Sequence, residues 1–220
     1  MSQLTKAITR QLQRQYAEPV LKDLNGNWYT GADVLEDLAL CETSLQQQNV
    51  HAGQAILLSP AQVVTIPGLL LASWQLGLTV TLTPPSRQLP ELAPQIYAAM
   101  VYSPSQTNQL ATKLDPHEIS VLTLILNTAP NFAYLVHDHA QPLTRRSQPD
   151  LILPASQLQF TQPQLLKMAE HGQTSAHVHD LYNLETGLLP CLTDLITATP
   201  FTIIPTKARL AIQSRLSANY

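Results

Sequence analysis

Short apolar runs alternate with helical patterns between residues 55 and 114, and this alternation constrains the fold more than any other feature of the sequence. Strands are predicted at 55–58, 78–82 and 100–102, and helices at 59–77, 89–99 and 105–114. A strand–helix–strand order of this kind predicts crossover units on a mostly parallel sheet with helices on both faces. The sequence therefore predicts the α/β class, with mostly parallel sheets flanked by helices.

The segments on either side of this alternation are less regular. Before it, a helix is predicted at 2–16 and a hairpin around Asn25-Gly26, and Thr30 is expected to cap a helix that runs to about Gln48. After it, strands are predicted at 119–126, 132–137, 151–153 and 201–204, and helices at 162–171, 184–196 and 207–216. A soft boundary near 114–120 gives one α/β subdomain at 1–115 and a second at 116–220, and a single continuous domain is the alternative.

Composition and charge exclude several classes of protein. Hydrophobic residues make up 45% of the chain, charged residues only 12%, and the net charge is −3. Nucleic acid is not an expected partner because no basic stripe is present to neutralise phosphates. The longest apolar segment, 63–78, is interrupted by Pro67-Gly68 and is too short to cross a bilayer, and the polar first 30 residues do not resemble a signal peptide. We therefore expect a cytoplasmic protein without membrane association.

Three blocks in the first hundred residues resemble the start of the adenylate-forming superfamily. They read VLKDLNGNWYT at 20–30, VHAGQAILLSP at 50–60 and PGLLLASWQLGLTVTLTPP at 67–85, and a weaker match runs from Tyr182 to Pro205. This superfamily contains acyl-CoA synthetases, fatty acyl-AMP ligases and the adenylation domains of peptide synthetases, and the double proline is most similar to the fatty acyl-AMP ligase branch. The resemblance implies the N-terminal portion of such an enzyme, truncated, with residues 116–220 as a degenerate second subdomain.

The same resemblance implies that the phosphate-binding loop of the family is missing. Family members bind ATP phosphates on a loop rich in Ser, Thr and Gly with a Lys, between a strand and a helix, where glycine lets backbone N–H groups approach the phosphates. Here the strand is 151–154 and the helix begins near Pro163, and the residues between them, ASQLQFT, contain neither Gly nor Lys. Ser156 would be a remnant of the loop, and Asn183 falls near the place where many members have a substrate-site His.

We therefore expect no catalytic residues, no cofactor and no binding of ATP or AMP. The adenine-binding motif, the ribose-binding Asp and the C-terminal lid of the family are expected to lie beyond the sequence, which ends at Tyr220. The predicted function is that of a non-catalytic homologue, a pseudoenzyme acting as a binding or interaction module. A truncated sheet domain exposes edges and apolar surface, so a homodimer or a protein partner is expected.

Two alternatives remain open. In the first, the chain is half of a split acyl-adenylating system, and a separate chain supplies the ATP-binding parts. In the second, it is a metal-dependent enzyme that uses two His-x-His pairs, His137 with His139 and His177 with His179. On a strand, each pair would place both imidazoles on one side, in a manner that suits Zn²⁺ or a similar metal.

Overall fold

The computed structural model describes residues 2–86, 96–113, 117–137 and 149–204, and within these ranges it contains six α-helices and two β-sheets. The helices are α1 (Gln3–Arg14), α2 (Gly31–Gln47), α3 (Ile66–Gln75), α4 (Pro104–Ala111), α5 (Gln162–Glu170) and α6 (Leu189–Thr197). The strands are β1 (Pro19–Lys22), β2 (Trp28–Thr30), β3 (Ala55–Leu58), β4 (Thr79–Leu82), β5 (Tyr97–Val101), β6 (Ile119–Leu124), β7 (Phe132–His137), β8 (Leu151–Leu153), β9 (Leu158–Phe160), β10 (His177–His179) and β11 (Phe201–Ile204).

The larger sheet has seven strands in the order β6-β7-β5-β3-β4-β8-β9. Its centre, β5-β3-β4-β8, is parallel, and β7, β6 and β9 are added to the two sides in antiparallel pairs. The central strands β3 and β4 are almost wholly buried, as expected of parallel strands covered on both faces. The predicted α/β class with mostly parallel sheets flanked by helices is confirmed.

The smaller sheet has four strands in the order β10-β11-β1-β2. β1 and β11 are parallel, as are β10 and β11, and β1 pairs with β2 in the predicted hairpin around Asn25-Gly26. Each sheet contains strands from before and after residue 115. The division of the chain into subdomains at 115 and 116 stays a prediction.

The helix ends follow the sequence signals closely. Thr30 accepts a hydrogen bond from the backbone N–H of Asp33, whose carboxylate accepts the backbone N–H of Thr30 at 2.7 Å, so a complete capping box begins α2. Gly77 has a φ of +72° just after α3, the conformation that glycine allows at the end of a helix. The residue pattern thus fixes the start of α2 and the end of α3 before tertiary packing is considered.

Three predicted boundaries were wrong. α3 begins at Ile66 instead of at 59, because the proline that fits the first turn is Pro67, whereas the Ser59 N–H donates to the carbonyl of Val101 in the sheet. Residues 97–99 are strand instead of helix, because Ala99 pairs with β3 and β7. Residues 158–160 form β9 instead of a loop. The predicted helix at 207–216 and the rest of the one at 89–99, up to residue 95, lie outside the described residues.

One continuous apolar core joins the two sheets through α1, α2, α3, α5 and α6. Trp74 of α3 is buried, and its indole N–H donates to the carbonyl of Asp150 at 2.9 Å. Cys41 and Cys191 are buried free thiols, and burial raises the pKa of both. Across the described ranges, no helix combines the length and the apolar character needed to cross a bilayer.

Candidate functional site

An open cleft of about 870 Å³, here called the strand-end cleft, lies where several parallel strands finish. Its walls are the segments that follow β3, β4, β5, β8 and β10; the residues used below are Ala61, Val63, Pro85, Ser103, Ser156, Asp180, Tyr182, Asn183 and Glu185. In open α/β sheets, ligands bind in the crevice outside the carboxyl ends of the strands. The position and the size of this cleft therefore make it the candidate binding site. It also brings together Ser156 and Asn183, which the sequence analysis identified separately.

Ser156 lies in a tight turn between two paired strands. β8 and β9 are antiparallel, with Leu151 opposite Phe160 and Leu153 opposite Leu158, so residues 154–157 alone connect them. The turn starts at Pro154, which has no N–H, and Gln157 adopts a left-handed φ of 57°. The Ser156 hydroxyl is directed back to the chain and donates to the carbonyl of Leu153 at 3.4 Å. A short hairpin thus occupies the segment that corresponds, by the family resemblance, to the phosphate-binding loop.

Asn183 caps a π-helical turn, 184–188, that runs directly into α6. Its side-chain oxygen accepts the backbone N–H groups of Glu185 at 3.0 Å and Thr186 at 3.1 Å. Its carbonyl accepts the N–H of Leu188 at 2.9 Å. The side-chain oxygen is thus engaged in the cap, and the amide NH₂ is the part of this side chain available to a ligand in the cleft.

The acidic wall of the cleft is held rigidly. Asp180 has a left-handed φ of 57°, and a Cβ at Gly187 would lie 2.0 Å from the Asp180 carbonyl oxygen, so only glycine fits at 187. The hydroxyl of buried Tyr182 donates to the carbonyl of Pro60 at 2.7 Å, and burial raises the pKa of this phenol. These contacts fix Asp180 and Glu185 relative to the loop after β3.

The charged residues that line the cleft in the described part of the chain have one sign. Asp180 and Glu185 are its charged lining residues, and no Lys, Arg or His belongs to the lining in the part of the chain that the structure describes. Clefts lined by one sign of charge concentrate ligands of the opposite sign. The described lining therefore favours cationic or neutral groups over phosphates.

The described histidines of the two His-x-His pairs lie in different sheets. His137 ends β7 in the seven-stranded sheet and is buried, whereas His177 and His179 lie on β10 in the four-stranded sheet. The exposure pattern of β10 places His177 and His179 on one side of the strand, with Val178 buried on the other. Within the described ranges no three His, Cys, Asp or Glu side chains are arranged to hold a metal ion. His139 lies outside those ranges, and the four-histidine site stays a prediction.

A second cleft, of about 620 Å³, lies on the other side of the segment 61–63. Ala61 and Val63 line both clefts, and the hairpin after β1 forms the far wall of the second one. In that hairpin Asp23 accepts the backbone N–H of Asn27 at 2.8 Å and the Tyr29 hydroxyl at 3.3 Å, so its carboxylate is engaged in holding the turn. The hydrogen bonds to Asn27 and Tyr29 keep the pKa of Asp23 below its usual value, against the effect of burial.

Asp180, Tyr182 and Glu185 were not predicted from the sequence. The signal that identifies Asp180 is its place directly after the strand His177–His179, at the carboxyl edge of a parallel sheet. This strand has three residues, two of them histidines, and such a segment has no apolar run to mark it. A short polar strand was therefore interpreted only as a possible pair of metal ligands.

Solved structures of two ligases and of the N-terminal domain of FACL13 have a similar fold. The chain is similar to a benzoate CoA ligase from Burkholderia xenovorans LB400, with a TM-score of 0.61 and 16% identity over 93% of this chain and 45% of that one. It is similar to coronafacic acid ligase from Pectobacterium brasiliense, with a TM-score of 0.62 and 11% identity over 96% of this chain and 47% of that one. The N-terminal domain of FACL13 from Mycobacterium tuberculosis gives a TM-score of 0.61 and 10% identity over 93% of this chain and 57% of that one.

These likenesses are confined to three-dimensional structure. No family model matches the sequence, and no curated protein sequence matches it. The chain spans about half the length of the solved chains that it matches. The resemblance drawn from the sequence is confirmed at the level of the fold: this chain has the fold of the N-terminal portion of adenylate-forming enzymes.

Proposed function

We propose that this protein is a non-catalytic binding module built on the N-terminal fold of adenylate-forming enzymes. In this proposal the strand-end cleft binds a small organic molecule with an apolar body and a cationic or neutral polar group. The observation that carries the proposal is the pairing of a cleft of about 870 Å³ with a described lining whose charged side chains are both acidic.

The lining supports both parts of such a ligand. Val63, Pro85 and the ring of Tyr182 supply apolar surface. Ser103 also lines the cleft, and its hydroxyl hydrogen-bonds to Gln106 at the start of α4. Asp180 and Glu185 supply negative charge at one wall, where the glycine contact at 187 and the Tyr182 hydrogen bond leave little freedom to move away. A preorganised wall of this kind lowers the cost of ordering the site when a ligand binds.

The turn at Ser156 argues against a triphosphate as the ligand. Phosphate sites in proteins depend on several convergent backbone N–H groups, on glycine for close approach, and on a cation. The four-residue turn contributes a proline and a left-handed glutamine, and its serine hydroxyl bonds to the chain itself. Without those features, binding of ATP would leave the phosphate charge opposite two carboxylates.

Ligand-observed NMR with a matched pair of probes tests the proposal. Hexylammonium and hexanoate have the same apolar chain and opposite charges, and AMP provides a phosphate. We expect saturable binding of hexylammonium and none of hexanoate or AMP. The double variant Asp180→Asn/Glu185→Gln should weaken hexylammonium binding by about tenfold, which corresponds to about 1.4 kcal/mol for the lost charge interactions. Asparagine at 180 also tolerates the left-handed backbone.

Two further variants locate the bound probe. Ser156→Trp places a large ring at the mouth of the cleft from an exposed turn, whereas Gln13→Trp adds the same ring to the exposed face of α1, outside the lining. Hexylammonium binding should be lost in the first variant and kept in the second. Binding that survives Ser156→Trp, or a preference for hexanoate or AMP over hexylammonium, would overturn the proposal.

A further inference from the structure

The two sheets end in strands of very different length. Among the described strands, β6 and β9 are the edges of the larger sheet, and β10 and β2 are the edges of the smaller one. β9, β10 and β2 have three residues each, whereas β6 has six. Very short edge strands are a common protection against unwanted pairing, because they present few free N–H and C=O groups. Three of these four edges therefore have that protection, and β6 lacks it.

β6 also lacks the other protective features of edge strands. From Ile119 to Leu126 the sequence is ISVLTLIL, with no charged residue and no proline. Its pairing with β7 runs without a bulge from Ile119 opposite His137 to Leu124 opposite Phe132. Val121 is 41% exposed and Ile125 is 81% exposed. A straight, uncharged and partly apolar edge of this length is a template for another extended strand.

We propose that β6 is a self-association surface, and that it pairs antiparallel with β6 of a second copy. A twofold axis normal to the sheet, at or next to Leu122, would join the two seven-stranded sheets into one. The pairing keeps each face continuous. With the axis at Leu122, Val121 lies opposite Thr123 of the second copy on the exposed face, and Leu122 lies opposite its own copy on the face that packs on the core.

The second copy is the favoured occupant because the strand is complementary to itself. Antiparallel pairing about a twofold axis places each residue opposite a residue of the same segment, and like charges would then be repelled. No charge occurs between residues 119 and 126, so no such repulsion arises within the strand. The alternation of exposed β-branched residues with half-buried leucines suits both faces of the joined sheet.

Light scattering coupled to size exclusion tests this surface. The unaltered chain should be a dimer at high concentration and should shift toward monomer on dilution. Val121→Lys should give a monomer with unchanged circular dichroism and thermal melting. Leu40→Lys, on α2, is the matched control because Leu40 is 44% exposed and lies outside β6, and it should leave the dimer intact.

Cross-linking defines the geometry of the pair. In the double variant Val121→Cys/Thr123→Cys, an axis at residue 121, 122 or 123 places at least one introduced thiol opposite another, so a disulfide-linked dimer should form under mild oxidation. The natural cysteines are buried, and Leu40→Cys should form no disulfide-linked dimer on a non-reducing gel after the same oxidation. A chain that is monomeric at high concentration, a dimer that survives Val121→Lys, or a double-cysteine variant that does not cross-link would each overturn the proposal.

Discussion

The buried carboxyl group of Asp194 in α6 should contribute to the pH dependence of the free energy of unfolding. One of its oxygens accepts the backbone N–H of Ser175 at 2.9 Å, whereas the other has no hydrogen-bond partner among the described residues. Burial raises the pKa of this carboxyl from an ordinary 3.8 to about 6 in the folded protein. That difference corresponds to about 3 kcal/mol, because one pKa unit is worth about 1.4 kcal/mol.

The sign of the effect follows from linkage. Because the folded pKa is the higher one, the folded state holds the proton more tightly, and stability is lost as the pH rises from about 4 to about 6. Asp194→Asn keeps an oxygen for the Ser175 N–H and cannot ionise. Urea unfolding at pH 4.5 and 7.5 should show this variant losing about 2 kcal/mol less than the unaltered chain between the two values, because part of the effect is already present at pH 4.5.

Glu170→Gln is the matched control because Glu170 is an exposed carboxylate at the end of the neighbouring helix α5. It should leave the pH dependence unchanged. If Asp194→Asn retains the full pH dependence of the unaltered chain, burial of this carboxyl does not have the energetic consequence derived from the structure.

Three substitutions test the contacts that shape the site and its surroundings. Gly187→Ala forces a Cβ against the Asp180 carbonyl and should lower the free energy of unfolding by more than ~2 kcal/mol in urea titrations; unchanged stability would contradict the close approach. Tyr182→Phe leaves the carbonyl of Pro60 without its donor and should cost about 1–2 kcal/mol by the same measurement, and no loss would contradict the hydrogen bond. Thr30→Ala removes a capping side chain and should cost about 1 kcal/mol in thermal or urea unfolding, whereas Thr30→Ser should restore most of it.

The elements that the sequence predicted best are those whose own residues determine them. Strand β3 is an apolar run between turn residues, and α2 begins at a capping box, so both are determined locally. β9 and β10 have three residues each, too few for a periodic pattern, and they are strands because neighbouring strands supply hydrogen bonds. The helix expected at residues 97–99 reflects the helical preference of alanine, which pairing on both sides of β5 overrides.

The candidate site was predicted in parts. Ser156 and Asn183 were found from the resemblance, 27 residues apart in the sequence, and only the three-dimensional structure brings them to one cleft. The need for glycine at 187 comes from the carbonyl of Asp180 seven residues earlier, and that approach depends on a left-handed backbone and a π-helical turn. Neither feature has a reliable sequence signal, so the acidic wall could not be identified in advance.

Whether this protein is a non-catalytic module is tested most directly by calorimetric titration of the full chain with MgATP. Pyrophosphate exchange with a panel of carboxylic acids then follows. A non-catalytic module with an acidic cleft and a short turn at 154–157 should show no saturable heat and no exchange above that of a blank. Saturable MgATP binding that Ser156→Trp abolishes and Gln13→Trp preserves, or exchange with any acid in the panel, would contradict the account.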